Sequence, residues 1–256
     1  MISTVTGQNQ ISLIKAAVGA RVRRFAPAEF EGLPRLRPTP DPLDRQRTEA
    51  LRWLQHFSQH ISYTVFVCGV FYERFQPGGM GGSRIGASTG ISGEGDYILD
   101  CRQMSAQAPM FNAGNQHVTL CMTSILDVAR FVTKAIDLPT WPAELRMHGE
   151  RLTVRNLVAM VQTLKREHIR CQYLCLSDRF SEQTFNPMTS HTPATLRAEL
   201  LVAATSGDRP RGMRLQALIA TAEGRYDFTQ PNLNAAFPDL VPERFQQWFQ
   251  RKWQLQ

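Results

Sequence analysis

The sequence predicts an α/β protein built on a parallel β-sheet, because strand and helix patterns alternate through the first part of the chain. Runs rich in β-branched and aromatic residues predict strands at Met1–Thr6, Val22–Ala26 and Ser62–Cys68. Between them, apolar residues recur at helical spacing over Gln8–Ala20 and Asp44–Gln59. Strands that alternate with helices in this way are typically parallel and are covered by helices on both faces.

Later elements are predicted from their start signals. Val118–Met122 has the composition of a short strand, and Ser124 with Asp127 forms a Ser-x-x-Asp pattern typical of a helix N-terminus. Thr153 is placed to cap a further helix. Cys171–Leu176 is predicted to be extended and Leu196–Ala204 to be helical. Pro242 is predicted to occupy the first position of a last helix.

Composition excludes several classes of protein. The 256 residues are 43% hydrophobic and 20% charged, which is typical of a globular protein with a buried core. No apolar run approaches the roughly 20 residues that span a bilayer, and the N-terminus lacks the pattern of a signal peptide. The five cysteines form no Cys-x-x-Cys pair and indicate reduced thiols rather than disulfides or zinc. We therefore expect a cytoplasmic protein that contains no metal and does not bind a membrane.

The net charge of +7 does not by itself predict nucleic-acid binding. A nucleic-acid surface needs an uninterrupted basic stripe with interleaved aromatic residues. Here the early basic residues alternate with acidic ones, and the acidic members are Glu29, Glu31, Asp41, Asp44 and Glu49. The sequence favours a small-molecule ligand over DNA or RNA.

Common catalytic motifs are absent or lack their structural context. The sequence contains neither Gly-x-Gly-x-x-Gly nor Gly-Lys-Ser/Thr, and the glycines of Gly78–Gly82 have the wrong spacing for a phosphate loop. The segment Gly86–Gly90 matches the Gly-x-Ser-x-Gly pattern of hydrolases, but no helix pattern follows it. His56 and His60 are four residues apart without the glutamate of a zinc protease.

Several segments, in their order along the chain, resemble one family. They are Val22–Phe30 (VRRFAPAEF), Tyr63–Phe71, Thr123–Phe131, Leu138–Pro142, Leu145–Thr153 and Leu233–Pro238. This ordered set resembles the NmrA-like and isoflavone-reductase-like family, an atypical branch of the short-chain dehydrogenase/reductases. The resemblance extends over nearly the whole chain.

The resemblance implies a Rossmann-like parallel sheet and a smaller, interleaved α/β part that caps the substrate. Met1 aligns with a strand in the middle of the family's sheet, so we expect the N-terminal βαβ phosphate-binding unit to be missing. Residues 1–138 would then be the remnant of the Rossmann-type domain, and residues 139–256 mainly the capping part. The strand Ile2–Thr6 would become an open sheet edge, which invites a second copy or a partner chain.

The resemblance also implies a set of site residues. Family members bind NADP(H), and the candidate substrate-binding residues here are Phe30, Gly69 and Phe71. The reductases carry a lysine early in the helix where this chain has Arg45 and Arg47, and arginine does not release a proton at ordinary pH. The candidate catalytic residues are Glu29, Arg47, Tyr72 and His117.

Three functions follow as hypotheses. The first is a protein on an NAD(P)-dependent oxidoreductase scaffold that acts on or binds a small aromatic or polyketide-like molecule, without binding nicotinamide by itself. The second is a cofactor-independent isomerase, dehydratase or cyclase that uses the same cleft. The third is a non-catalytic regulator, for which a partner chain at the open edge would be characteristic.

Overall fold

The computed structural model describes residues 1–39, 41–85, 91–168, 170–171 and 193–255. Within these ranges the α-helices are α1 Gln8–Gly19, α2 Arg47–His56, α3 Gly79–Gly82, α4 Ile125–Ala135, α5 Val154–Lys165, α6 Pro193–Ser206, α7 Arg209–Ala222, α8 Asn232–Ala236 and α9 Phe245–Trp253. The strands are β1 Arg24–Phe25, β2 Ser62–Tyr63, β3 Val65–Val67, β4 Val70–Phe71, β5 Leu99–Asp100, β6 Ser105–Ala106, β7 Thr119–Thr123, β8 Glu144–Arg146, β9 Glu150–Thr153 and β10 Arg170–Cys171.

Two compact units are distinguished by their internal contacts, and each is discontinuous in sequence. Unit 1 comprises Met1–Phe71, Cys121–Glu150 and Tyr226–Glu243. Unit 2 comprises Tyr72–Leu120, Arg151–Arg225 and Arg244–Gln256. The assignment of residues 1–138 to a sheet remnant and 139–256 to a capping part stays a prediction.

The strands of unit 1 pair in parallel, as the alternation of strands and helices predicts. β1 pairs with β2, β3 pairs with β8, and β4 pairs with β7, all in the parallel direction. Parallel bridges also join Ile2 to Ala26 and Glu31 to Val67. The predicted α/β class with parallel strands is therefore confirmed.

Two apolar clusters pack against these strands. Between α1 and α2 the cluster contains Ile11, Ile14, Phe25 and Leu54, all almost completely buried. A second cluster forms around Phe66. Its other members come from α4, from β8 and the residue after it, and from the 226–243 segment: Val128, Phe131, Leu145, Met147, Leu233 and Leu240. The helical periodicity read in the sequence thus corresponds to the faces that α1, α2 and α4 bury.

Unit 2 is mainly helical, and α6 packs against α7. Asp208 begins α7, since its side chain accepts a hydrogen bond from the Arg211 backbone N–H. A small sheet has the order β10-β6-β5, in which β6 runs parallel to β10 and antiparallel to β5. A group of buried rings, which we call the aromatic core, consists of Tyr72, Phe75, Phe245, Trp248 and Phe249.

Predicted helix starts agree with the structure where a side chain caps the helix. The Ser124 hydroxyl accepts a hydrogen bond from the Asp127 backbone N–H at 3.0 Å, and Thr153 does the same for Asn156 at 3.1 Å. The expectation for Pro242 was wrong, because α9 begins at Phe245 with Arg244 as its N-cap. A side-chain acceptor fixes a helix start locally, whereas a favourable proline does not.

Other expectations require correction or lie outside the described residues. Met1–Thr6 does not form a full strand, since only Ile2 is bridged, to Ala26. The Gly86–Gly90 pattern lies outside the described residues, as does the Cys171–Leu176 run beyond Cys171. The α7 helix, which the sequence analysis did not predict, has most of its last eight residues buried.

The expectations for cysteine, metal and membrane can be compared with the described residues alone. Within them, Cys68, Cys101 and Cys121 are buried, and burial raises the pKa of the Cys101 thiol to about 12. No group of three or more metal-ligating side chains occurs in the described ranges. Among the helices of those ranges, none is both long and apolar enough to cross a membrane.

Candidate functional site

Glu29 lies just beyond the carboxyl end of β1, at the edge of a parallel sheet where ligands of α/β proteins usually bind. Its backbone N–H donates to the Pro27 carbonyl at 2.8 Å. The preceding Ala28 N–H donates to the Gln10 side-chain oxygen at 2.7 Å. Two residues later, Glu31 returns to the sheet through its bridge to Val67. The turn that carries Glu29 is therefore held at both ends.

Arg37 is the principal partner of the Glu29 carboxylate. Its guanidinium lies 2.5 Å from Glu29 Oε2 and 3.1 Å from Glu31 Oε1. The same guanidinium also lies 3.3 Å from an Asp44 oxygen and 3.9 Å from an Asp41 oxygen. The side chains of Arg37 and Glu29 are only 2% and 0% exposed, so this pairing is shielded from water.

Arg47 forms the second cation of the same cluster. Its guanidinium lies 2.6 Å from Glu31 Oε2. It also donates to the carbonyl oxygens of Leu43, at 2.9 Å, and Asp44, at 3.0 Å. Arg47 thus joins the start of α2 to the loop that precedes it and to Glu31.

We call these groups the charged network: Glu29, Glu31, Arg37, Asp41, Asp44 and Arg47. The network contains four carboxyl groups and two guanidinium groups. Burial raises the pKa of the Glu29 carboxyl, and the nearby Glu31 charge adds to this effect, although Arg37 and Arg47 oppose it. The network can therefore hold a proton at Glu29 more tightly than an exposed carboxyl does.

Asp44 has a structural role within the network. Its Oδ1 accepts hydrogen bonds from the Thr48 backbone N–H at 3.0 Å and from the Thr48 hydroxyl at 2.7 Å. These bonds satisfy the first turn of α2 in the way that an N-terminal cap does. Gln46, the residue before α2, has a left-handed backbone with φ 60°.

Gly69 adjoins the network through backbone hydrogen bonds. The N–H groups of Cys68 and Gly69 both donate to the Glu31 carbonyl, at 3.0 and 3.2 Å. Gly69 has φ +71°, and a Cβ at this position would lie 2.1 Å from the Cys121 carbonyl oxygen. Only glycine fits this close approach of two strands. The close approach to Cys121 therefore explains why a glycine stands at position 69, and the role of Gly69 in substrate binding stays a prediction.

Phe30 and Phe71, the other predicted substrate-binding residues, are partly buried in unit 1. Phe30 stacks on Phe66 with ring centroids 5.7 Å apart and an interplanar angle of 3°. Both Phe30 and Phe71 pack against the apolar cluster around Phe66. Each therefore supplies aromatic surface near the end of a strand.

Tyr72 and His117, the other candidate catalytic residues, belong to unit 2. The Tyr72 side chain is completely buried in the aromatic core, with its ring 5.2 Å from that of Phe245 and 5.5 Å from that of Trp248. His117 is exposed and stacks on Phe111 at 4.7 Å. Unit 1 thus contains Glu29, Arg47 and all three predicted substrate-binding residues.

The sequence analysis did not identify Arg37 as a site residue. It counted the acidic and basic residues between Glu29 and Glu49 as a mixed charge pattern. The position of these charged residues could have indicated a site. They lie in a proline-rich loop that follows a predicted strand, and this loop carries both acidic and basic residues. The ion pair between Arg37 and Glu29 buries two charges that a surface loop would leave in contact with water.

Comparisons with known proteins show a fold. No family model matches the chain, and no curated protein matches it. A structure of pinoresinol-lariciresinol and phenylcoumaran benzylic ether reductases matches with a TM-score of 0.64 and 15% identity, covering 98% of this chain and 74% of that chain. The leucoanthocyanidin reductase of Vitis vinifera, solved with NADPH, matches with a TM-score of 0.57, 15% identity and the same coverage.

A bacterial structure shares the same architecture. A nucleoside-diphosphate-sugar epimerase from Staphylococcus aureus matches with a TM-score of 0.58 and 15% identity, covering 94% of this chain and 69% of that chain. Reductases and an epimerase thus match at equal identity, so the likeness does not select one reaction. The chain is an α/β protein with parallel strands whose fold matches that of the Rossmann-fold short-chain dehydrogenase/reductases.

Proposed function

We propose that this chain uses the reductase fold to bind a small aromatic or polyketide-like molecule at the carboxyl edge of unit 1. The observation that carries the proposal is the charged network, which places a buried carboxyl of raised pKa in the turn that follows a parallel strand. Perturbed carboxyl groups concentrate at functional sites because the chemistry there needs them. The structures whose fold matches include phenylcoumaran benzylic ether reductases, and a benzylic ether carries an aromatic ring.

Two carboxyl groups of the network are partly exposed: the side chains of Glu31 and Asp44 are 18% and 20% exposed, whereas that of Glu29 is 0% exposed. Asp44 already accepts hydrogen bonds from Thr48 at the first turn of α2, so Glu31 is the better placed of the two for a ligand. Because Arg37 contacts both carboxylates, the protonation of Glu29 changes how strongly Arg37 attracts Glu31. We assign Glu31 to ligand contact and Glu29 to setting the charge of the network. Arg47 then holds Glu31 in place.

Aromatic surface accompanies this polar group. Phe30 directly precedes Glu31, and Phe71 ends β4, whose neighbouring Gly69 donates to the Glu31 carbonyl. Ligand sites typically combine apolar walls with a few well-placed polar groups. This combination is the reason for choosing an aromatic ligand over a sugar nucleotide.

The described residues do not fit the pyrophosphate of NADP(H). A dinucleotide site needs a glycine-rich turn leading into a helix, so that the backbone can approach the phosphates. The described glycine cluster is used for packing instead, because a Cβ on Gly79 would lie 2.6 Å from the Gly93 carbonyl. We therefore propose that the chain does not hold nicotinamide by itself.

A second candidate function is acid–base catalysis without nicotinamide, such as isomerisation, dehydration or cyclisation. The raised pKa of the Glu29 carboxyl favours it, because a proton-retaining group near a ligand can support general acid catalysis. In this reaction class Glu31 would move the proton at the ligand, and Glu29 would act through Arg37.

A regulator that binds a partner chain is the third proposal, and the N-terminal segment supports it. Ile2 is bridged to Ala26, and the nearby Met1 and Val5 side chains are 48% and 41% exposed. An exposed apolar segment beside a sheet is suited to strand addition by a second copy. Light scattering across a concentration series tests this, since a mass that stays monomeric contradicts pairing between copies.

Calorimetric titration tests ligand binding, which the first two functions share. NADPH, NADH and 4-hydroxyacetophenone, a simple phenolic ketone, are titrated separately into the folded chain. We expect heat of binding for the ketone and none for either nucleotide. Glu31→Gln should weaken ketone binding about tenfold, as expected for loss of a hydrogen bond to a charged group. Glu49→Gln, which changes an exposed member of a surface pair on α2, is the matched control.

The outcomes separate clearly. Micromolar binding of NADPH would overturn the proposal that the chain lacks a nicotinamide site. Equal ketone affinity in Glu31→Gln and Glu49→Gln would overturn the site. Exchange of the ketone methyl protons in D2O, followed by NMR without nicotinamide, tests acid–base catalysis. If the protein binds the ketone but the methyl protons exchange no faster than in buffer, the acid–base function is wrong and the binding function stands.

A further inference from the structure

Arg214 is a partly exposed arginine on α7 of unit 2. Its Nε is buried and has no hydrogen-bond partner among the described residues. Within those residues no carboxylate forms an ion pair with its guanidinium, in contrast to Arg37 and Arg47 of the charged network. A buried donor without an acceptor costs free energy, so an acceptor from outside the chain is expected at Arg214.

A tight turn packs along the face of α7 that carries Arg214. The Tyr97 hydroxyl is hydrogen-bonded to the Thr221 hydroxyl at 2.6 Å, and both residues are buried. Thr221 follows Arg214 by two helical turns, so the two side chains project from the same face of α7. Ile98 is completely buried with φ 55°, a backbone conformation that a β-branched residue adopts only where its surroundings impose it. The turn is therefore held firmly beside α7.

Two aspartates of this turn, Asp96 and Asp100, lie near Arg214 without pairing with it. Burial lowers the pKa of the Arg214 guanidinium, and the negative charges of Asp96 and Asp100 oppose this effect. A Cβ on Gly95 would lie 2.6 Å from Asp100 Oδ2, so the Asp100 carboxylate packs against the residue next to Asp96. Both aspartates are partly exposed, as Arg214 is, so a solute can reach all three side chains.

Each aspartate uses one carboxylate oxygen to hold the turn. Asp96 Oδ2 accepts a hydrogen bond from the Gly93 N–H at 2.6 Å. Asp100 Oδ1 accepts from the N–H groups of Arg102, at 3.0 Å, and Gln103, at 2.8 Å. Among the described residues, Asp96 Oδ1 and Asp100 Oδ2 accept no hydrogen bond. One oxygen of each aspartate thus remains for a donor from outside the chain.

The two signs of charge select a zwitterion as the ligand. A carboxylate accepts hydrogen bonds from the planar fork of a guanidinium, and an ammonium group donates to aspartate oxygens. A simple anion would be attracted by Arg214 but repelled by the two aspartates, and a simple amine would be repelled by Arg214. An α-amino acid carries both charged groups on one carbon. It can therefore bridge a cation and carboxylates that do not touch each other.

We propose that Arg214, Asp96 and Asp100 bind the carboxylate and ammonium groups of an α-amino acid. The Arg214 guanidinium donates to the ligand carboxylate, and Asp96 Oδ1 and Asp100 Oδ2 accept from the ligand ammonium group. The site lies within unit 2. It does not rest on the proposed function, which concerns the charged network of unit 1.

The experiment compares three probes by NMR on the full chain: L-alanine, propionate and ethylamine. Alanine carries both charged groups, whereas propionate has the carboxylate alone and ethylamine the ammonium alone. We expect alanine to bind at least about tenfold more tightly than either, because each charged group adds charge-assisted hydrogen bonds. It should shift the Arg214 side-chain N–H resonance and the backbone resonances of Asp96 and Asp100. Equal affinity for alanine and for either of the other probes would overturn the inference.

The variant Arg214→Met tests the carboxylate half of the site. It removes the guanidinium and keeps an unbranched side chain, so alanine should bind at least about tenfold more weakly. Arg209→Met changes an exposed arginine in the first turn of the same helix and is the matched control. This control should bind alanine like the unmodified chain. Unchanged alanine affinity in Arg214→Met would overturn the site.

The variant Asp96→Asn tests the ammonium half. Asparagine keeps an oxygen for the Gly93 N–H and removes one negative charge, so alanine should bind about tenfold more weakly and propionate more tightly. Equal weakening of both probes would contradict the assignment of Asp96 to the ammonium group.

The comparison of probes on the unmodified chain decides the matter if a variant fails to fold. Binding of none of the three probes by a folded chain would overturn the inference. Such a result would leave the proposed function standing, because the binding of 4-hydroxyacetophenone and its dependence on Glu31 are measured separately.

Discussion

The charged network of unit 1 and the aromatic core of unit 2 each enclose a large polar side chain completely, and they accommodate it in different ways. Glu29 is satisfied by the Arg37 guanidinium and by further charges around it. Tyr72 is enclosed by rings, with those of Phe245 and Trp248 within 5.5 Å. Both residues are 0% exposed, so burial alone does not distinguish a polar site from a core.

The difference shows that a buried charged group depends on its charged partners, whereas a buried ring depends on packing. In the charged network, removing one partner leaves the others buried and uncompensated, so the members depend on each other. In the aromatic core each ring contributes mostly through its own buried area and shape. A chemical role at Glu29 is therefore inseparable from Arg37, whereas the ring of Tyr72 is held by packing.

The largest expected effect comes from Arg37→Met. This change removes the cation that faces four carboxyl groups and should lower the free energy of unfolding by about 3–5 kcal/mol at pH 7. Urea unfolding followed by circular dichroism measures it. The matched control is Arg52→Met, since Arg52 is 68% exposed and pairs with Glu49 at the surface. A loss below that of the control would show that the network does not act as a unit.

Tyr72→Phe should have a smaller effect. It keeps the ring contacts of the aromatic core and removes one buried hydroxyl, which costs about 1 kcal/mol in the free energy of unfolding. Any ligand binding or proton exchange found for the unmodified chain should be retained. Loss of proton exchange in a stably folded Tyr72→Phe protein would instead assign the hydroxyl a catalytic role and break the comparison.

The smallest effect is the pH dependence contributed by Glu29. Burial raises its pKa above the ordinary value of 4.5, so the folded chain holds this proton more tightly than the unfolded chain does. The free energy of unfolding should therefore fall as pH rises from 4.5 through the raised pKa, because ionising the buried carboxyl costs the folded state.

Glu29→Gln removes this titration and should flatten the decline in that window. Urea unfolding of both proteins at a series of pH values above 4 measures the difference. Glu49→Gln, which alters an exposed carboxyl, should leave the slope unchanged. An unfolding free energy that rises with pH in the unmodified chain and becomes flat in Glu29→Gln would show that the attraction of Arg37 outweighs burial.

The sequence by itself determined the local features of this protein. The α4 and α5 starts were predicted because Ser124 and Thr153 carry the acceptor that satisfies a helix N-terminus within four residues. The parallel pairing followed from the alternation of β1, α2 and β2, since a helix between two strands returns the chain in the same direction. Glu29 was named because the segment Val22–Phe30 resembles one in a known family.

The tertiary structure decided how those residues are used. Arg37 belongs to the site because the loop after β1 folds back and buries its guanidinium against Glu29, a pairing that no local pattern encodes. Tyr72 belongs to an aromatic core because α9, far along the chain, supplies Phe245 and Trp248. Hydrogen bonds within a turn depend on neighbouring residues alone, whereas burial depends on which distant segment covers a side chain. For this reason the sequence could name Glu29 and Tyr72 as candidates, and only the fold could separate their surroundings.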